Sequence, residues 1–396
     1  MTLTLTALSH AATVGTYNKP ASHRALLARV SLQGQPAWQL VYSHPVPTLG
    51  EGQVLIKTSH VGLNPFDWQC LEYGLGVGPE GKVMGRDGAG VVVGTGIGVH
   101  RFSVGDRVWF CANSSLAGAG AFQEYSVHFA TEVAHIPRNV SDDEAATLGT
   151  GLVTAGVVLF RTLDFPLDSL LGSSTSKKTD APWILVWGGS GITGVYLIQL
   201  ASILGYRVIC AASPVNHSYV RSLGADVVVD RWGAPSELIE SIRTATKDEV
   251  LLAIDNVGSA TATTCKAVLQ GSSRWRERHQ FARGDIHSTP GRLVALAGSP
   301  REVPDADAVR QVESPRVSFS TTFYNHPQFS ERLLDSLTRL LANGRLLPAR
   351  VKAVTGGLKG IEPGLKELRN GLAPGGYKLV ARLADTPYSD TGLRWS

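Results

Sequence analysis

The densest chemical signal in the chain is Trp187-Gly188-Gly189-Ser190-Gly191-Ile192-Thr193-Gly194-Val195. Within it, Gly189-x-Gly191-x-x-Gly194 follows the apolar run Trp183 to Trp187 and precedes a helical stretch, Val195 to Leu204. That spacing suits a pyrophosphate. The first glycine permits a tight turn, the second lets the backbone approach the anion, and the third lets the helix pack on the strand. Unpaired N–H groups at the helix N-terminus then face the phosphate oxygens. A chain with 43 glycines offers such strings by chance, so the weight rests on the position between strand and helix.

The next strand selects the nicotinamide cofactor. An NAD site places Asp or Glu about 20 residues on, where the carboxylate accepts from the ribose 2′-hydroxyl. Here the strand ends Cys210-Ala211-Ala212-Ser213-Pro214-Val215-Asn216, and no acid follows until Asp226. Ser213 and Asn216 can donate to a 2′-phosphate, and His217, Arg221 or Arg231 can add positive charge. NADPH is therefore expected over NADH.

Metal chemistry has no matching ligand set. Zinc needs three or four converging Cys, His or carboxylate ligands. Cys70, Cys111, Cys210 and Cys265 are widely separated, and the eleven histidines form no motif with them. No metal site is expected. The absence of a Cys-x-x-Cys pair or a disulfide ladder fits a reducing compartment, so a cytoplasmic location is expected. The first 30 residues are acid-free, with Lys19, Arg24 and Arg29 among several Ser and Thr. They read as a tail ahead of a strand beginning near Arg24, with a mitochondrial transit peptide as the alternative.

The elements that must position these groups fall into two classes. From Ala25 to about Phe129, short strands alternate with Gly- and Pro-containing turns, as in a small β-barrel. After about Gly151, strands alternate with helices through Tyr206 to Ala212, His217 to Leu223, Ala225 to Val229, Leu251 to Ile254 and Arg292 to Ala297. That order predicts a doubly wound parallel sheet, an α/β architecture. Asp164 to Pro182 reads as a linker or surface loop. Ser272 to Pro290, with Arg274, Arg276, Arg278 and Arg283 against Glu277 and Asp285, reads as a solvated insertion. The net charge of +4 is spread along the chain, without the basic stripe of a nucleic-acid binder. The longest uncharged apolar stretch, Leu148 to Phe160, is too short to span a bilayer.

Taken together, the chain resembles the medium-chain dehydrogenase/reductases from about Arg24 to Asp385. The motifs that carry the resemblance are Gly62-Leu63-Asn64-Pro65-Phe66-Asp67, Gly85-Arg86-Asp87-Gly88-Ala89-Gly90, Val104-Gly105-Asp106-Arg107-Val108, Gly120-Ala121-Phe122-Gln123-Glu124-Tyr125, the glycine-rich turn, and Gly375-Gly376-Tyr377-Lys378-Leu379-Val380. The resemblance implies a GroES-like β-barrel catalytic domain built from both chain ends around a central Rossmann domain. The expected divisions are residues 1–155, 156–316 and 317–396. Zinc members carry a Cys near Asn64-Pro65 and Gly-His-Glu in place of Gly85-Arg86-Asp87; this chain departs from both.

The zinc-free branch reduces activated carbon–carbon double bonds. Within it, Trp183 to Ser190, Ser213-Pro214-x-Asn216 and Lys378-Leu379-Val380-x-Arg382 resemble the stand-alone, trans-acting enoyl reductases of fungal polyketide pathways. The resemblance implies hydride transfer from NADPH to an α,β-unsaturated acyl thioester held on the carrier protein of a reducing polyketide synthase. It further implies that Phe66, Asp67, Trp68, Gln69, Thr154, Ser190, Gly191, Ile192, Thr193, Gly194, Ser213, Pro214, Val215, Asn216, Arg231, Leu296, Ala297, Val380 and Ala381 line the cofactor site. Val157, Val158, Leu159 and Phe160, and Ser320, Thr321, Thr322, Phe323 and Tyr324, are expected to face the acyl chain. Relatives often have Tyr where Arg231 stands, so its guanidinium is a candidate for adenine stacking.

Tyr73 and Tyr324 are the candidate proton donors, with packing tyrosines or solvent as alternatives. A free-standing quinone or enone reductase, a mitochondrial enoyl thioester reductase and a non-catalytic NADPH-binding scaffold remain as other functions. Monomer and homodimer are both open.

Overall fold

The computed structural model describes residues 19–30, 33–172, 180–278, 289–302 and 306–388. Residues 1–18, the first part of the acid-free N-terminal segment, lie outside the described residues.

The N-terminal strands are β1 (Ser22–Val30), β2 (Pro36–Pro45), β3 (Gln53–Gly62), β4 (Lys82–Val83), β5 (Asp87–Thr95), β6 (Arg107–Cys111), β7 (Tyr125–Phe129) and β8 (Val133–His135). The central strands are β9 (Trp183–Trp187), β10 (Arg207–Ala212), β11 (Val227–Asp230), β12 (Val250–Asp255), β13 (Gly291–Ala295) and β14 (Val312–Glu313). The chain then returns through β15 (Arg350–Val354) and β16 (Tyr377–Arg382).

The central strands form a parallel sheet in the order β11-β10-β9-β12-β13-β14. β9 is buried at every residue, as an uninterrupted apolar strand covered on both faces must be. The helix Ile192–Ile203 that follows it is buried from Gly194 through Ala201, and it packs between the sheet and the helix Gly149–Val157. Strand order reverses around β9, which opens a crevice beyond the carboxyl ends of β9, β10 and β12.

The other large sheet runs β15-β16-β3-β5-β6-β8, with β7 also on β3. β16 pairs antiparallel with β3, setting Val380 opposite Gly62 and Ala381 opposite Val61. Residues from the C-terminal part of the chain thus complete the sheet that carries the Asn64 and Asp87 motifs. A smaller sheet, β2-β1-β4, flanks it.

Two sequence expectations change. Ser272 to Pro290 does not begin as a solvated insertion. Its first part is a helix, Ser273–Arg278, with Trp275 and Arg276 buried. Trp275 Nε1 donates to Glu240 Oε1 at 2.9 Å, and Arg276 Nε to the buried Asp248 Oδ2 at 2.9 Å. Arg283 and Asp285 lie outside the described residues. Asp164 to Pro182 includes a short turn of helix, Leu167–Leu171, anchored by the buried Leu170; residues 173–179 lie outside the described residues. Among the described residues, no helix is long and apolar enough to cross a membrane.

Candidate active site

The glycine-rich turn leaves β9 at Trp187 and becomes the helix N-terminus at the reversal of strand order. Val195 N–H makes the first helical bond, to Gly191 O at 2.8 Å, so the N–H groups of Ile192, Thr193 and Gly194 are left for an anion. A Cβ on Gly194 would stand 2.5 Å from Gly188 O, and one on Gly189 2.1 Å from Cys210 Sγ. Those two glycines allow strand and helix to touch. Gly191 differs: a Cβ there meets only Gly188 O, at 3.2 Å, and otherwise faces open space. This is the cradle a pyrophosphate requires.

The barrel closes on this turn. Gly376 N–H donates to Ser190 O at 2.6 Å, and a Cβ on Gly375 would lie 2.6 Å from Asn216 Nδ2. Asn216 is buried, whereas Val215 is 87% exposed. Arg231 N–H donates to Ala212 O at 3.2 Å, which sets Arg231 beside the end of β10. Its guanidinium carbon stacks 3.9 Å over the exposed Trp232 ring. His217 Nε2 lies 3.1 Å from Ala212 O, turned back onto the strand. One acid escapes a search along the strand itself. Asp230 pairs in register with Ala212 from the neighbouring strand, although its carboxylate accepts from Trp232 N–H at 3.1 Å. Leu296 and Ala297 follow β13 at the same end of the sheet, where Leu296 N–H bonds to Asp255 O at 2.9 Å. Asp255 accepts from Gly258 N–H at 2.9 Å and shapes the adjoining loop.

On the barrel side, Asn64 and Pro65 open the helix Pro65–Glu72, which carries Phe66, Asp67, Trp68 and Gln69. Asp67 Oδ2 accepts from Asn64 N–H at 2.9 Å, an N-terminal cap; its Oδ1 is buried without a partner. Burial pushes the Asp67 carboxyl up to about 7. The Asn64 N–H bond opposes the rise, Asp87 adds to it, and Lys378 and Arg86 also oppose it.

Beside Asp67 lies a buried polar chain that sequence reasoning did not assemble. Lys378 Nζ donates to Asn64 Oδ1 and to Asp87 Oδ2, both at 2.6 Å. Asp87 Oδ1 accepts from Thr150 N–H at 2.6 Å and from Thr150 Oγ1 at 2.5 Å. Two motif positions at which this chain departs from the zinc members, Asn64 and Asp87, thus bind an ammonium group. The sequence signal was a lysine inside the apolar run Tyr377-Lys378-Leu379-Val380-Ala381. Thr154 follows Thr150 by one helical turn and is partly accessible.

Arg86 stands at the remaining motif position. It is 8% exposed, with its guanidinium carbon 3.8 Å from the Phe66 ring centroid and 5.8 Å from that of Phe319.

The candidate proton donors separate. Tyr73 is 66% exposed at the end of the Pro65–Glu72 helix. Tyr324 is partly buried, its hydroxyl donating to Ala112 O at 2.7 Å. Burial raises its pKa well above the ordinary phenol value, and neighbouring Cys111 adds to the rise. Ser320, Thr321, Thr322 and Phe323 lie with Phe319 on one short helix, of which only Phe323 is buried. Val157, Val158 and Leu159 have no exposed surface and Phe160 is 4% exposed. These four pack in the main core. Their apolar character, read as an acyl wall, belongs to a helix buried between two layers.

Residues 50–138 match the model of the alcohol dehydrogenase GroES-like domain. A zinc-type alcohol dehydrogenase-like protein of Schizosaccharomyces pombe is 30% identical, over 86% of this chain and 96% of its own length. The enoyl reductase component lovC of the lovastatin nonaketide synthase of Aspergillus terreus is 30% identical, over 86% of this chain and 91% of its own. A mycobacterial protein solved in complex with NADPH superposes with a TM-score of 0.67 at 23% identity, over 90% of this chain and 99% of its own. With both sheets, the glycine cradle and the Asn64–Lys378–Asp87 chain in place, these likenesses make the chain a member of the medium-chain dehydrogenase/reductase family.

Proposed function

We propose that the protein is an NADPH-dependent, trans-acting enoyl reductase working on α,β-unsaturated acyl thioesters carried by a reducing polyketide synthase. The observation that carries the reading is the juxtaposition of the glycine cradle with a buried lysine bonded to Asn64 and Asp87. The cradle suits a dinucleotide. The lysine sits as an internal cation on two motif positions at which this chain departs from the zinc members. The likeness to an enoyl reductase component of a polyketide synthase supports the substrate class.

The residues present fit the cofactor. Gly191 and the free N–H groups of Ile192, Thr193 and Gly194 would hold the pyrophosphate. Ser213, Asn216 and the Arg231 guanidinium would meet a 2′-phosphate, with Asp230 turned onto Trp232. Bound there, the reduced nicotinamide supplies a hydride. The protein orients the alkene against it, and such positioning can supply several kcal/mol of the barrier.

The test compares NADPH oxidation with linear enoyl pantetheine thioesters against small quinones. Turnover of the thioesters is expected to dominate. Efficient quinone reduction with inert thioesters would instead establish a quinone reductase. The cofactor is tested separately: Arg231→Ala is expected to weaken NADPH binding by roughly tenfold or more, the worth of a charged hydrogen bond, while leaving NADH binding unchanged. Equal losses for both cofactors would remove the 2′-phosphate role.

A further inference from the structure

We infer that Arg86 is a catalytic residue of this site, donating hydrogen bonds to the substrate carbonyl oxygen and stabilising the enolate that forms during reduction. The inference rests on the enoyl reductase reading above and adds the residue that carries the electrophilic role.

A guanidinium this deeply buried is ordinarily paired. Arg86 is 8% exposed, yet among the described residues its guanidinium has neither an ion-pair partner nor a hydrogen-bond acceptor, and its Nε is fully buried and unsatisfied. Two carboxylates of the site are engaged elsewhere: Asp87 with Lys378 and Thr150, Asp67 with Asn64 N–H. What holds the group is aromatic. Phe66, on the helix expected to line the cofactor, lies at 3.8 Å. Phe319, on the short helix expected to face the acyl chain, lies at 5.8 Å. The rings fix the guanidinium plane without consuming its N–H donors. Tyr324 and Cys111 stand close enough to feel the Arg86 charge, but the Tyr324 hydroxyl is spent on Ala112 O. The result is a preorganised donor between the cofactor side and the substrate side, lacking only an acceptor.

An enoyl thioester provides one. Hydride adds to the β-carbon as the dihydronicotinamide is oxidised. The alkene electron pair shifts to the bond between the α-carbon and the carbonyl carbon, and the carbonyl oxygen takes the negative charge. A proton from solvent then adds at the α-carbon and the carbonyl re-forms. Arg86 keeps its protons throughout and acts by charge and hydrogen bonding alone.

The test uses crotonyl pantetheine and NADPH with the wild type, Arg86→Met and Arg86→Lys. Arg86→Met, which keeps the stem between the rings, is expected to lose roughly 10²–10³-fold in kcat, with NADPH affinity and thermal midpoint unchanged. Arg86→Lys should fall between the two. Independently, the carbonyl stretch of butyryl pantetheine bound to the wild type with oxidised cofactor should move to lower frequency, and should not move in Arg86→Met. Arg86→Met turnover within threefold of wild type, or an unshifted stretch in the wild type, overturns the role of Arg86 while leaving the enoyl reductase reading intact. A wild type inert toward every enoyl thioester defeats that reading, and the inference with it.

Discussion

Lys378 Nζ lies 2.6 Å from Asp87 Oδ2, and the two side chains are 2% and 0% exposed. The pair joins β16 to the first residue of β5. It therefore ties the returning C-terminal strand to the motif sheet at the floor of the site. Both charges are out of water, so their value lies in mutual compensation and in the extra bonds from Asn64 and Thr150.

Removing one partner should therefore be worse than removing both. Lys378→Met leaves the Asp87 carboxylate buried with only Thr150 for company, and is expected to destabilise the fold by about 3–5 kcal/mol. Adding Asp87→Asn should restore much of that loss. Urea denaturation of both single variants and the double variant supplies the cycle. Additive losses would mean that the pair is not coupled.

Asp67 makes stability depend on pH in the opposite sense to an ordinary salt-bridged acid. Its folded pKa is raised to about 7, chiefly by burial, whereas an unfolded aspartate titrates near 4. Between those values the folded state holds a proton that the unfolded state has released, so stability falls as pH rises and levels off above the folded pKa. Asp67→Asn keeps a cap for Asn64 N–H without the ionisation. The difference in unfolding free energy between wild type and Asp67→Asn should shift in favour of the variant from about pH 4 to pH 7. A pH-independent difference would place the Asp67 pKa near its unfolded value.

The glycines of the cradle should separate folding from binding. Gly194→Ala forces a Cβ to within 2.5 Å of Gly188 O and should cost about 1–3 kcal/mol of stability, the usual toll of overpacking, along with cofactor affinity. Gly191→Ala has a nearest neighbour at 3.2 Å and its φ is −69°, a value any residue adopts. It should lower NADPH affinity with stability nearly unchanged. Thermal unfolding and fluorescence titration of the two variants decide the matter; similar thermal losses in both would show that Gly191 serves packing alone.

The same contrast explains what could be read from the sequence. The cradle was legible because strand, turn and helix are contiguous, and each glycine meets a constraint set within a few residues. The Lys378–Asp87 bond spans 291 positions, and no local spacing reports it; only a lysine in an apolar strand hinted at a buried partner. Asp230 escaped for a related reason, since it reaches the end of β10 from the adjacent strand. Val157 to Phe160 show the converse. Apolar side chains on a helix fit a core and an acyl pocket equally well, and it is the second layer packed over them that decides. Arg86 was visible as a departure from a motif, but its lack of an acceptor is a property of three-dimensional surroundings.

Tyr324 supplies the last discrimination. Its hydroxyl donates to Ala112 O at 2.7 Å and lies 3.9 Å from Cys111 Sγ, and burial raises its pKa well above the phenol range. A proton already committed to a backbone carbonyl and held that tightly is poorly placed for transfer to an α-carbon. Tyr324→Phe should therefore keep kcat within about threefold while losing about 1–3 kcal/mol of stability, because Ala112 O is left without its donor. Tyr73→Phe, at an exposed helix end, should change neither quantity. Solvent would then deliver the α-proton, consistent with an Arg86 that stabilises charge without transferring a proton. If Tyr324→Phe instead loses a hundredfold or more in kcat at unchanged stability, Tyr324 is the donor, and its bond to Ala112 must break during each turnover.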